Sequence, residues 1–238
     1  MKGIFKRELM GYFQNMQGYV FIAVFLLIST FAFLIRCVFA QSASMSGVFY
    51  YLIDTLMLLV PILTMRLIAE ERKNKTDQLL LCSPVSLVKI VLGKYLAACT
   101  LFFLTSVLTV IFPVVMMIFG AQVTIGELFL GYVGFWLLGL ALISVGIFIS
   151  ALTENQIVAL LLTLVTVAFI MIVVDVLVAL LGGFTGAILR WLSLWDRYIM
   201  FFDSGIISLS SVFYYLTFSA VFVVFTIRVI ERRRWAKG

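Results

Sequence analysis

Six apolar runs dominate the chain, at about residues 18–39, 48–68, 96–119, 127–150, 156–181 and 209–230. Each is long enough to cross about 30 Å of hydrocarbon at 1.5 Å per residue. A bilayer core has no water to satisfy free backbone groups, and no stretch alternates with a period of two over barrel length, so the runs predict helices. Short links join them, apart from two longer polar segments, residues 69–95 and 182–208. The predicted fold is all-α: a single polytopic membrane domain over residues 1–238 with six transmembrane helices.

Ahead of the first run, residues 2–17 are amphipathic. Ile4, Phe5, Leu9, Tyr12, Phe13 and Met16 recur at helical spacing, while Lys2, Lys6, Arg7 and Gln14 fill the other faces. Such a helix can lie in the headgroup region as a surface anchor, or form an elbow that also touches a partner. The first run has about 20 apolar residues, beyond the 7–15 of a signal-peptide core, and reads as a retained helix.

The polar hairpin follows the second run, as LTMRLIAEERKNKTDQLLLCSPVSLVKIVLGKYL, residues 63–96. The helix is expected to continue past Arg66 into Glu70, Glu71, Arg72 and Lys73, charges that need water. Asn74, Lys75 and Thr76 break it. Thr76 can cap a short helix over residues 76–82, with Asp77 in its first turn at the positive end of the dipole. Gln78 follows, then Leu79, Leu80 and Leu81, an apolar triplet that must lie on lipid or in a protein groove. Ser83-Pro84 ends the helix, because the residue before proline is pushed out of the α region. Ser86 can cap the next helix, which carries Lys89 and Lys94 before entering the membrane near Leu96.

Composition agrees with the pattern. Hydrophobic residues make up 64% and charged residues 12% of the chain, against about 25% charged in soluble domains. The mean hydropathy is +1.22. The net charge of +6 is a topology signal: fourteen lysines and arginines fall on the side that holds both termini and the 69–95 hairpin. Arg36, Arg190 and Arg197 fall on the other. By the positive-inside rule both termini and the hairpin are expected in the cytoplasm. The scattered basic residues, with no binding domain behind them, argue against a nucleic-acid partner.

Candidate chemistry is sparse. Histidine is absent, which removes the commonest general base and metal ligand. Cys37, Cys82 and Cys99 have no metal or redox spacing and read as small apolar fillers. No Walker loop or nucleophile elbow occurs, so no catalytic residue and no metal or cofactor site is expected in the chain itself. Charges within the runs are costly and usually paired. Arg36 and Asp54 flank a short loop and can meet as an ion pair, or line a polar path. Asp175 lies in the fifth run. The segment LRWLSLWDRYIMFFDSG places Trp191, Trp195 and Arg197 among interfacial aromatics. Short helices dipping back into the outer leaflet are predicted over 182–208.

MRLIAEERKNKTDQLLLCSPVSLVKIVLGKYLA resembles the coupling segment of ABC-2 type transporter permeases, in particular the gliding-motility and nitrous-oxide-accessory branch. IFKRELMGYF followed by GYVFIAVFLL resembles that branch's amino-terminal elbow and first span. ISALTENQIVALL, residues 149–161, resembles its loop between spans 4 and 5. One departure is Asn15-Met16-Gln17, where Ser-Pro would be expected before the glycine-tyrosine pair.

The resemblance implies a permease subunit in a bacterial inner membrane, paired with a second, identical or homologous permease subunit. Each would sit on a separate ABC ATPase that binds ATP and Mg. Residues 76–82 would be the coupling helix, with Glu70, Glu71, Arg72, Thr76, Asp77, Gln78, Leu79, Leu80, Ser83 and Pro84 at the ATPase contact. Glu154 and Asn155 would form a second cytoplasmic contact. An auxiliary membrane or extracytoplasmic subunit is compatible with the family. Two other classes stand beside this reading. A secondary transporter or channel would show ion flux without ATP, and a membrane scaffold would work with an ATPase that cannot hydrolyse.

Overall fold

The computed structural model describes residues 2–39, 46–75, 86–118, 124–181, 193–203 and 208–236. These form α1 (Lys2–Gln14), α2 (Met16–Phe33), α3 (Ser46–Thr64), α4 (Ala69–Lys73), α5 (Leu87–Leu108), α6 (Ile111–Ile118) and α7 (Ile125–Leu152). They continue with α8 (Gln156–Ala168), α9 (Val174–Leu181), α10 (Leu194–Asp203) and α11 (Leu209–Ala236). Two π-helical stretches, Leu34–Phe39 and Phe169–Val173, extend α2 and join α8 to α9. Among the described residues, six helical segments are long and apolar enough to cross a membrane: Met16–Phe39, Gly47–Lys73, Leu87–Ile118, Ile125–Leu152, Gln156–Val178 and Leu209–Arg233. The protein is an all-α, multi-pass membrane protein.

Helix α7 is the axis of the bundle, with 78% of its apolar window buried, against 24% for the fifth span and 22% for the sixth. It packs on α3, α5, α8, α10 and α11. Close approach depends on small residues, because in lipid helices associate by packing rather than by leaving water. A Cβ added at Gly139 would stand 2.2 Å from the Phe102 ring, and one at Gly146 would stand 2.3 Å from Thr64 Oγ1. Hydroxyls inside the spans turn back onto their own helix. Thr55, Thr64, Thr105 and Thr163 each donate to the carbonyl four residues earlier, so none presents an unmet donor to lipid.

The second span departs from expectation. Instead of running through the charged cluster, α3 ends at Thr64, residues 65–68 form a hydrogen-bonded turn, and α4 restarts the helix. The polar stop falls where the sequence predicts: Lys75 takes φ 58, a left-handed termination after α4. Ser86 is extended, as a cap would be, but its side chain makes no capping hydrogen bond. Helix α10 supplies one helix in the 182–208 segment; residues 182–192 and 204–207 lie outside the described residues, as does the predicted helix over 76–82.

Candidate functional site

The α1 helix, the 65–68 turn, α4, the start of α5, the 153–155 turn and the end of α11 gather at one end of the bundle. This end carries most of the chain's lysines and arginines and is called the basic end below.

The elbow is seated on protein. Phe5, Leu9 and Phe13 pack against the core, and Tyr12 is buried, its hydroxyl donating to the Leu63 carbonyl at 3.2 Å. Burial pushes the Tyr12 phenol well above its ordinary range, so it stays a neutral donor. Ile4 lies against Gly93 of α5, where a Cβ would stand 3.0 Å from Ile4 Cγ2. Met16, counted on the apolar face, is instead 83% exposed, because α1 ends and the chain turns at the extended Asn15 before α2.

A ring of alternating charge then joins three helices. Lys94 Nζ, on a side chain only 3% exposed, lies 2.8 Å from Glu71 Oε1 of α4 and 3.2 Å from Glu8 Oε2 of α1. Arg7 closes the ring, 2.7 Å from Glu8 and 3.5 Å from Glu71. Two cations and two carboxylates balance within the ring, which offsets the cost of burying its members. Neighbouring pairs extend the arrangement. Arg66 grips Glu70 with two nitrogens, and Arg72 of α4 pairs with Glu154 of the 153–155 turn.

One hydroxyl makes the break in the second span tolerable. Ser150 Oγ accepts from the Ile68 and Ala69 amides at 3.2 and 3.1 Å and donates to the Met65 carbonyl at 3.3 Å. Ile68 occupies the cap position of α4 and has no side chain able to cap, so α7 supplies the cap from across the interface. Two arginines cover the carbonyl end of α7, Arg72 on Ala151 and Arg233 on Leu152, each at 3.2 Å. Asn155 caps α8, its Oδ1 accepting from the Ile157 amide at 2.9 Å.

Of the residues singled out from sequence, the structure therefore brings together Glu70, Glu71, Arg72 and Glu154, with Asn155 beside them as a helix cap. Thr76, Asp77, Gln78, Leu79, Leu80, Ser83, Pro84 and Trp191 lie outside the described residues. The expected Arg36–Asp54 pair does not form. The Arg36 guanidinium stands 4.9 Å from the centre of the Tyr51 ring, and Asp54 is exposed with no ion pair among the described residues. Asp175 lies in α9, in a different span. At the far end Trp195 meets Tyr50, and Arg197 lies on Tyr214. Sequence reasoning missed Arg7, Glu8, Lys94, Ser150 and Arg233. Glu8 and Lys94 had a signal: one is the sole acid on the elbow, the other a lysine about to enter a span.

A six-span bundle whose ion-pair network gathers at one charged end has the build of a membrane permease domain. Residues 11–230 match the family model described as ABC-2 family transporter protein, and the chain belongs to that family. It is thus the membrane component of an ABC transporter, a class in which a partner ATPase is implied. No curated protein matches the chain. The family match begins at Gly11, so Arg7 and Glu8 of the charged ring precede it.

Proposed function

We propose that the chain couples ATP hydrolysis by a separate ATPase to export, or to transmission of force, across a bacterial inner membrane. Both termini face the cytoplasm, and the basic end is the docking face. ATP and Mg belong to the ATPase.

The observation that carries this reading is how the basic end brackets residues 76–85. The chain enters that segment from α4 and leaves it into α5, and Lys94 bonds Glu71 across the gap. The same lysine ties both helices to the elbow, and Arg72 ties α4 to the turn between α7 and α8. A push on the segment is thereby shared among the spans instead of bending one helix. The turn at 65–68 interrupts the helix and supplies a joint where α4 can tilt against α3.

Within the segment, Leu79 and Leu80 provide the apolar anchor, worth about 1.5–3 kcal/mol for each side chain fully buried. Replacing both with serine is expected to leave the membrane bundle folded and to weaken ATPase binding or uncouple hydrolysis from transport. Co-purification of the ATPase with this variant, beside hydrolysis and transport assays, tests the proposal. Normal binding with normal coupled activity would rule out the docking role.

A further inference from the structure

Away from the basic end, a groove of about 720 Å³ opens between the π-helical stretch after α8, α10 and the first half of α11. Its walls are Phe169, Phe213, Phe218, Val221 and Phe222, and Arg197 is the one charged side chain among the described residues that line it. The guanidinium donates to Ser210 Oγ at 3.3 Å and lies 5.1 Å from the centre of the Tyr214 ring. Charge sits at one extremity of the groove, beside the first turn of α11, and mainly phenyl rings, with Ile170, Thr217 and Val221, line the rest.

The dimensions correspond to those of a lipid. From Ser210 to Phe222 the helix rises by roughly 18 Å at 1.5 Å per residue. One leaflet of hydrocarbon is about half of 30 Å, so the groove is one acyl chain deep and reaches about 3 Å into the headgroup layer. The polar extremity lies where the span begins, at headgroup level. The groove faces the leaflet remote from the basic end, whichever way the chain is inserted. Its outer rim is already apolar: Phe169, Phe213 and Val221 are exposed at 53%, 61% and 42%.

We infer that this groove is a binding site for an anionic membrane phospholipid, with an acyl chain along the phenyl rings and the phosphate at Arg197 and Ser210. Arginine suits that position because its planar fork bonds phosphate oxygens while its face rests on an aromatic ring.

Native mass spectrometry of the purified full chain, exchanged into mixed phosphatidylglycerol and phosphatidylcholine, reads the occupant directly. Both lipids carry the phosphate, but phosphatidylcholine also brings a choline cation that the Arg197 charge repels, so the wild type is expected to retain phosphatidylglycerol over phosphatidylcholine by roughly fivefold, the effect of two like charges about 4 Å apart in water. Arg197→Gln should abolish the preference, and Thr217→Trp, which fills the groove, should reduce retention of both lipids. Equal retention of the two lipids by the wild type overturns the proposal without recourse to any variant. So does a preference that survives Arg197→Gln. Efficient disulfide cross-linking of two copies through Thr217→Cys would also overturn it, by assigning the groove to a second chain.

Discussion

Replacing Lys94 with methionine removes the cation at the centre of the charged ring and keeps the volume of its stem. Glu8 and Glu71 would remain on side chains only 17% and 21% exposed. Breaking a buried ion pair by deleting one partner costs about 3–5 kcal/mol. Arg7 stays within 3.5 Å of Glu71 and both glutamates keep some water, which selects the lower figure. The expected loss is about 3 kcal/mol, a factor of roughly 150 in the folding equilibrium. Reversible unfolding of the detergent-solubilised protein in a denaturing detergent series measures it. Pairing Lys94→Met with Glu71→Gln should recover part of the loss, since the double change removes a stranded carboxylate as well, with a coupling of at least about 1 kcal/mol. A single-variant loss under about 0.5 kcal/mol, the range of ordinary surface substitutions, would refute the ring as a structural tie.

Ser150→Ala strands two amides and a carbonyl at the 65–68 turn; a loss of about 1–3 kcal/mol and faster hydrogen exchange at Ile68 and Ala69 are expected. Gly146→Ala should sharply lower folded yield by size-exclusion chromatography, because its Cβ has Thr64 at 2.3 Å, whereas Gly126→Ala, with nothing within 4 Å, should be neutral. Cysteine at Ser44 should label from outside intact cells and cysteine at Lys237 should not; equal labelling would contradict the proposed orientation.

Hydropathy alone made the six spans legible, because each crossing needs an unbroken apolar run. The 65–68 turn was hidden, since it depends on a partner elsewhere in the chain. Ser150 looks like any small residue in a span until it meets two amides more than 80 positions away. The same limit applies to the charges. Glu70, Glu71 and Arg72 were legible as a water-facing cluster, but the pairing of Glu71 with Lys94 and of Arg72 with Glu154 depends on how α4 rotates against α5 and α7. Arg36 and Asp54 show the converse. Their nearness along the chain suggested a pair, yet the π-helical end of the first span turns Arg36 onto Tyr51. The elbow's apolar face was visible from its spacing. That it covers Gly93 rather than lipid was not, because a glycine carries no hydropathy signal for close approach.

Coupling through the bracketed segment is tested most directly by a photo-reactive amino acid placed at Leu80 in the full chain, activated in living cells. The account predicts a covalent adduct with an ABC ATPase, recognised by its Walker-motif peptides, and none from the same probe at Ile125 beyond the far end of the bundle. Adducts with lipid alone at Leu80, in cells that contain the ATPase, would contradict it.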